Sequence, residues 1–231
     1  MGRDKLFDTL RNNDMLVKPK KNYKKTTNSY HRYHKYSNRI KNLKITKPEQ
    51  VFVNDITYIR VKNTYAYLFL TTDAYSKKIM GWSVNYTMKV KDAKKAIKMV
   101  CKNRIHKTNV IHHSDRGIQY CTPQYTDYIE SKGMTPSMTE KDHVYENSIA
   151  ERVNGILKDE FAIGEGFNSL KQARSVIKSS ISIYNNTRRH MSLGYLTPNF
   201  VHFNPWINLD NLKSEIVLNC NRIQDKTNKN Q

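Results

Sequence analysis

The sequence predicts an α/β protein in which helices pack on a mixed sheet of five strands. Between residues 51 and 87, segments rich in β-branched and aromatic residues alternate with short polar turns, which is typical of consecutive strands. From residue 91 onward, segments with helical periodicity alternate with two short strand-like segments. A run of strands followed by alternating helices and strands favours a mixed sheet covered by helices.

The first 47 residues differ in composition from the rest of the chain. Residues 2–16 predict one amphipathic helix, with Leu6, Phe7 and Leu10 on its apolar side. Residues 17–47 are dense in Lys, Arg, Tyr, His and Asn and too poor in aliphatic residues to form a core. They could be a solvated linker, but the absence of acidic residues favours a basic arm that lies along DNA.

The remaining elements follow from local signals. Thr122 and Pro123 predict the start of a helix, and Gly133 predicts its end. The residues from 208 onward are polar and are expected to fray. In chain order the predicted elements are strands 51–61, 65–73 and 78–87, helix 91–104, strand 109–114, helix 123–132, strand 134–138, and helices 148–161 and 169–187.

Charge and composition restrict the class of function. With 40 Lys+Arg against 20 Asp+Glu, the formal net charge is +20, which favours a polyanionic partner and above all nucleic acid. A membrane is disfavoured because the chain has no apolar run of about 18 residues. Three widely spaced cysteines disfavour structural zinc, and the start carries no apolar signal region, so we expect a cytoplasmic protein with reduced thiols.

Three acidic residues stand out by their positions. Asp55 lies inside the first predicted strand, Asp115 follows the fourth, and Glu151 lies on the first turn of a helix, with 35 residues between it and Asp115. An unpaired buried carboxylate is costly, and open α/β sheets place their sites at the carboxyl ends of strands. Carboxylates also suit Mg²⁺, a hard cation that prefers oxygen ligands and can activate a water or hydroxyl beside a phosphate.

Each acid also has a purely structural interpretation. Asp55 could face solvent on an edge strand, Asp115 could begin a turn, and Glu151 could be the last member of a capping box. The occurrence of all three in a strongly basic chain favours a site for two divalent ions on DNA. His112 and His113 point to opposite faces of their strand, so we interpret them as packing residues or DNA contacts and not as ligands.

The helix that carries Glu151 has a polar stripe. Asn147, Glu151, Asn154 and Lys158 are separated by offsets of 4, 7 and 11 residues from the first. The stripe could be a solvated helix face, or it could combine a metal ligand with a lysine that reaches a phosphate. Gly155 beside the stripe costs about 1 kcal/mol relative to Ala, and it could permit close approach of a DNA backbone or serve packing.

Four motifs occur in order along the second part of the chain. They are DITYI from residue 55, HHSDRGIQY from 112, YENSIAERVNGILKDEF from 145 and YNNTRRHMSLGYLTP from 184. Together they resemble the integrase-core transposases encoded by the second reading frame of many bacterial insertion sequences. The resemblance covers roughly residues 48–205 and includes the family's 35-residue gap between the last two acids.

This resemblance implies a fold, a site and a reaction. The fold would be RNase H-like, with a DDE site in which Asp55, Asp115 and Glu151 are the catalytic residues and hold two Mg²⁺ or Mn²⁺ ions. The reaction would be strand cleavage at the element ends followed by transfer of a 3′-hydroxyl. The chain would divide into a helix-turn-helix remnant with a basic DNA-binding arm (1–47), a catalytic core (48–205) and a polar tail (206–231).

The resemblance also implies DNA contacts. Lys158 matches a family lysine expected near the terminal DNA. We expect further contacts from the polar and basic residues Asn154, Arg116, Arg188, Arg189 and His190. For the last three, the alternative is that charge at a helix C-terminus complements the helix dipole.

The expected partners are double-stranded DNA, at the terminal repeats and at the target, a second copy of the chain, and the helix-turn-helix protein of the upstream frame. Phe52 stands where the family often has Trp, and His143–Val144 replaces a common Asp-Pro. Residues 2–16 resemble only the last part of the family's helix-turn-helix region. Two alternatives therefore stay open: a truncated, non-catalytic DNA-binding fragment, and an RNase H-like nuclease that acts on RNA–DNA hybrids.

Overall fold

A computed structural model of the chain describes residues 2–13, 15, 31–106, 109–140 and 147–209. Residues 17–30 of the predicted arm, the His143–Val144 pair and the tail after residue 209 lie outside the described residues. In chain order the elements are α1 (Arg3–Asn12), β1 (Val51–Val61), β2 (Thr64–Asp73), β3 (Ile79–Asn85), α2 (Val90–Asn103), β4 (Val110–Ser114), α3 (Ile118–Cys121), α4 (Pro123–Glu130), β5 (Met134–Met138), α5 (Ser148–Glu160), α6 (Leu170–Asn186) and α7 (Pro198–Phe203).

The predicted fold class is confirmed, because the five strands form one mixed sheet in the order β3-β2-β1-β4-β5. The first three strands pair antiparallel, as short turns require. β4 pairs parallel with β1, and β5 pairs parallel with β4, after helical crossovers. The carboxyl ends of the short strands β4 and β5 therefore meet at one edge of the sheet, halfway along the longer β1.

Helices cover both faces of the sheet, and the alternation of side chains along β1 separates two cores. Phe52 packs on one face with residues of α2 and α4. Ile59 and Val61 pack on the other face with residues of α5 and α6. Helix α2 lies so close to β3 that a Cβ atom on Gly81 would come within 2.2 Å of a main-chain oxygen of that helix. Gly81 is therefore required for this layer to close.

Residues 31–47, which we call the docked arm, lie against the sheet and the helices that cover it. The sequence predicts an arm without a core of its own, and these residues indeed form no helix or strand. Their apolar side chains nevertheless join the cores of residues 48–205: Tyr33 and Tyr36 pack on the α2 and α4 side, and Leu43 packs beside Val51 and its neighbours. Residue 47 is thus not a packing boundary.

Two short helices in the described residues were not predicted, namely α3 and α7. α7 carries a signal that the sequence contains, because Thr197 precedes Pro198 and its hydroxyl accepts a hydrogen bond from the Phe200 amide at 3.3 Å. α1 ends at Asn12, earlier than predicted, and none of its residues is buried. None of the helices that the structure describes is long and apolar enough to span a membrane.

Candidate active site

The pairing of β1 with β4 places Asp55 beside Asp115. Asn54 of β1 is the register partner of Ser114, the last residue of β4. Asp55 and Asp115 each follow that pair by one residue, so the parallel register brings them to the same level of the sheet. β4 ends at this point, and the next bridge on that side of β1 comes only at Val61, which pairs with Phe167. The two acids thus lie where the sheet opens.

The turn after β4 is held by hydrogen bonds from both of its flanks. The Gly117 amide donates to Asp115 Oδ1 at 3.0 Å, which fixes that carboxylate close to its own main chain. Arg116 Nε donates to the Thr139 carbonyl oxygen at 2.7 Å, and His31 Nε2 of the docked arm donates to the Arg116 carbonyl oxygen at 2.9 Å. Part of the Arg116 guanidinium is therefore engaged inside the protein.

Helix α5 brings the third acid to the same opening. The helix begins at Ser148, and Asn147, which precedes it, makes no side-chain cap. The Asn147 amide group instead donates to the main-chain oxygen of Asn54 at 3.0 Å. Ser148 is thus the first helical residue and not the cap, so the capping-box interpretation of Glu151 does not apply. Glu151 lies on the first turn with its side chain exposed.

The negative charges of the three carboxylates influence one another. Burial, followed by the negative charge of Asp115, raises the pKa of Asp55 to about 7, and Glu151 adds to this effect. Burial and the charge of Asp115 also raise the pKa of Glu151. Like charges that oppose each other's ionisation are typical of carboxylates that share a cation or a proton.

Asn154, which we expected to contact DNA, is buried and binds Asp55. Its Nδ2 atom donates to Asp55 Oδ2 at 2.6 Å, and this hydrogen bond lowers the pKa of Asp55 against the effect of burial. Its Oδ1 atom is buried without a hydrogen-bond partner. Asn154 therefore orients the first carboxylate and leaves one further oxygen beside it. Lys158, two turns beyond Glu151 on the same helix, is half-buried.

The basic residues after α6 are placed unequally. The Arg188 guanidinium donates to both carboxylate oxygens of Glu160, at 2.6 and 2.5 Å, and its third nitrogen donates to the Arg189 carbonyl oxygen. His190 is buried against the Tyr184 ring, with ring centroids 5.0 Å apart, and burial lowers its pKa to about 4. Arg189 is exposed. Of these three, Arg189 alone extends toward solvent, which differs from our expectation for Arg188 and His190.

The two histidines before Asp115 pack inside the protein. His112 Nε2 lies 2.9 Å from the Tyr125 hydroxyl, and burial lowers the pKa of His112 to about 3. His113 Nδ1 lies 2.9 Å from the Ser137 hydroxyl. Both rings are buried, and the lowered pKa keeps the His112 ring neutral, as the packing interpretation expects. Sequence reasoning missed Asn54, whose amide group donates to the His113 carbonyl oxygen at 3.0 Å and helps to hold β1 against β4.

The residues that could hold a divalent ion are Asp55, Asp115 and Glu151, together with the unpaired Oδ1 atom of Asn154. All four supply oxygen, which is the donor that Mg²⁺ and Mn²⁺ prefer. Among the residues that the structure describes, no three His, Cys, Asp or Glu side chains lie close enough to hold a metal ion as they stand. Joint ligation by all three acids would require the exposed Glu151 side chain to move toward the two aspartates.

Comparisons with known proteins agree with this geometry. Two integrase core domain family models match residues 45–143 and 132–198. The 31 kDa protein of insertion element IS600 from Shigella sonnei is 34% identical over 86% of this chain and 74% of its own length. The InsF transposase of insertion sequence IS3A from Escherichia coli K12 is 35% identical over 65% of this chain and 53% of its own length.

Solved structures share the fold. The intasome of simian T-cell lymphotropic virus in complex with a PP2A regulatory subunit aligns with a TM-score of 0.58 at 18% identity, over 76% of this chain and 60% of that chain. The HTLV-2 integrase catalytic core domain in complex with magnesium aligns with a TM-score of 0.54 at 15% identity, over 68% of this chain and 97% of that one. The sheet is thus the RNase H-like sheet of integrase catalytic cores, and the chain belongs to the integrase-core transposases of bacterial insertion sequences.

Proposed function

We propose that this chain is the catalytic part of a DDE transposase, which cleaves DNA at the ends of an insertion sequence and transfers the resulting 3′-hydroxyl to a target. The observation that carries the proposal is the pairing of β1 with β4, which sets Asp55 beside Asp115, together with Glu151 at the start of α5, whose pKa the charge of Asp115 raises. A net charge of +20 supports a polyanionic substrate for this site.

We infer that the three carboxylates hold two Mg²⁺ or Mn²⁺ ions. When bound, the ions would supply Lewis acidity at the reacting phosphate and lower the pKa of an attacking water or hydroxyl. The contribution of the protein is to hold the ligands. Asn154 keeps one oxygen of Asp55 fixed, and the Gly117 amide does the same for Asp115. Glu151 enters on a helix whose start is tied to β1 by Asn147.

DNA contacts extend from both sides of the carboxylates in this proposal. On the α5 side, Lys158 and the exposed Arg189 would bind backbone phosphates. On the β4 side, the guanidinium nitrogens of Arg116 that Thr139 does not occupy would do so. Transfer of two element ends requires them to be held together, so we expect the chain to act on double-stranded DNA as an oligomer in the bacterial cytoplasm, with the helix-turn-helix protein of the upstream frame as a further partner.

The test is an in vitro strand-transfer reaction with DNA carrying the element ends, with Mg²⁺ or Mn²⁺. The wild-type chain is compared with Asp115→Asn and Glu151→Gln, which keep side-chain size while removing charge. We expect joined products from the wild type and none from either variant, with DNA affinity changed less than about threefold because neither acid is an attractive contact for phosphate. A loss of affinity as large as the loss of activity would instead assign the acids a structural role.

A second function is favoured by the net charge of +20 together with the separation of the three acids, which, among the described residues, do not lie close enough to hold a metal ion as they stand. It is a DNA-binding fragment that occupies element ends without cutting them. It predicts tight DNA binding by the wild type and by Glu151→Gln alike, with no metal-dependent product from either. The same reaction therefore separates the two functions.

A further inference from the structure

The docked arm wraps around the free edge of the sheet, from one face to the other. Tyr33 and Tyr36 pack with the core that lies under α2 and α4. Farther along, Ile40 packs with the cluster around Val51, whose side chain points to the opposite face. Between the two, the Arg39 amide donates to the Ser137 hydroxyl of the edge strand β5 at 2.9 Å. The arm thus crosses the edge at the carboxyl end of β5.

Along this path the docked arm contacts the segment around Asp115 and the segment around Glu151. Near its start, His31 donates to the carbonyl oxygen of Arg116, the residue after Asp115. Near its end, Ile40, Leu43 and Ile45 share one apolar cluster with Ile149 and Ala150, the two residues that precede Glu151. A single segment therefore contacts the surroundings of the second and third carboxylates.

The opposite side of the docked arm is cationic. Residues 31–47 contain six Lys and Arg residues and no Asp or Glu. The side chains of Arg32, Arg39 and Lys47 are exposed, whereas the apolar residues between them are partly buried. A segment with one apolar side and one cationic side can pack on protein and bind phosphate at the same time.

We propose that the docked arm couples DNA binding to placement of the third carboxylate. Phosphates bound along its outer side would hold the arm against the core, and its inner side would then fix the first turn of α5 and thereby Glu151 relative to Asp115. The partner is the backbone of double-stranded DNA. This inference rests on the proposed function for its effect on catalysis, but the coupling itself is measurable without any reaction.

Glu151 is the acid for which such support matters most. It lies on the first turn of a helix, where main-chain amides have no partners within the helix, and its side chain is exposed. Asp55, in contrast, is held inside the central strand and by Asn154. A displacement of a reacting group by about 1 Å can lower a rate about 100-fold, so an apolar contact two residues away can have a large effect on turnover.

The inner side is tested by Ile40→Ala, with Ile207→Ala as the matched control. Both isoleucines are partly buried, but Ile207 belongs to a cluster around Leu193 that is distinct from the Ile149–Ala150 cluster. We expect Ile40→Ala to lower strand transfer by about 10 to 100-fold with little change in DNA affinity, and Ile207→Ala to lower it less than about twofold. His31→Ala, which removes the bond to Arg116 and the ring contact with Tyr33, should resemble Ile40→Ala. Equal activity in all three variants would overturn the proposal.

The outer side is tested by the double substitution Arg32→Ala and Arg39→Ala, with hydrogen exchange of residues 147–153 as the readout. In the wild type, DNA should slow exchange in this segment. In the double variant, the salt dependence of DNA binding should fall by about two units of slope and the DNA-induced protection should be lost at saturating DNA. Protection that persists in the double variant, or that never occurs in the wild type, would refute the coupling. If protection occurs but no strand is transferred, the proposed function fails while the coupling stands.

Discussion

Replacement of Asp55 by Asn should stabilise the metal-free protein while abolishing its reaction. Burial, and after it the charges of two negative neighbours, raises the pKa of Asp55 from 3.8 to about 7. Asparagine has nearly the same shape, and its side-chain oxygen can still accept the hydrogen bond from Asn154. The substitution therefore removes the unfavourable charge and keeps the packing.

The magnitude follows from the two pKa values of Asp55. The neutral acid is favoured in the folded state, so the stability contributed by Asp55 is full below its unfolded pKa near 3.8 and is lost as pH rises through about 7. A pKa change of this size corresponds to about 4 kcal/mol. Relative to the wild type, Asp55→Asn should thus raise the free energy of unfolding by almost nothing near pH 4, by about 2 kcal/mol at pH 5 and by about 4 kcal/mol at pH 8.

The assay is urea denaturation with a chelator present, at pH 5 and at pH 8. Asp127→Asn is the control, because Asp127 is exposed on α4, away from the three acids, and should change the free energy of unfolding by less than about 0.5 kcal/mol at either pH. Addition of Mg²⁺ should stabilise the wild type and leave Asp55→Asn unchanged. A gain that is the same at both pH values, or no gain at all, would refute the assignment of Asp55 to a cluster of repelling carboxylates.

Three further substitutions test other parts of the structure. Lys158→Ala should lower the slope of log affinity against log salt for element-end DNA by about one unit, whereas an unchanged slope would remove it from the phosphate contacts. Gly155→Ala should raise the free energy of unfolding by about 1 kcal/mol, because the added Cβ atom would meet no atom within 4 Å. A lower free energy of unfolding in urea denaturation would contradict this expectation. Glu49→Gln should lower the free energy of unfolding, measured by urea denaturation, by about 3 kcal/mol at neutral pH, because it breaks a buried charged cluster. This difference from the wild type should vanish at a pH below the lowered pKa of Glu49.

Most of the fold could be predicted because its signals are periodic. The β-branched runs of β1 to β3 each cover most of a strand, and the apolar stripes of α2, α5 and α6 extend over several helical turns. The observed bounds of these elements lie within two residues of the predicted ones. α3 has only four residues, too few for a period. α7 is also short, but its Thr197–Pro198 start repeats the signal that correctly predicts α4 at Thr122–Pro123.

The three candidate acids could be selected from the sequence, whereas the partners of the polar residues around them could not. Asn154 and Arg188 both lie in motifs rich in polar residues, which suggested DNA contacts. In the structure Asn154 turns to Asp55, and Arg188 pairs with Glu160, 28 positions away. The packing of the docked arm on the rest of the protein could not be predicted either, because its apolar residues follow neither the period of a helix nor that of a strand. Side-chain partners distant in sequence are a property of the folded state alone.

Glu49 and Asp55 show how the partners of a buried carboxylate decide the direction in which its pKa moves. Glu49 is fully buried, yet its carboxylate accepts the amides of Ile105 and His106 at 2.8 and 3.0 Å and lies 3.3 Å from His202 Nε2. These partners outweigh desolvation and lower the pKa of Glu49. Asp55 has one side-chain donor and two like charges, and its pKa rises. The fold satisfies the first acid with hydrogen-bond donors and leaves the second beside like charges, an arrangement that is typical of carboxylates at functional sites.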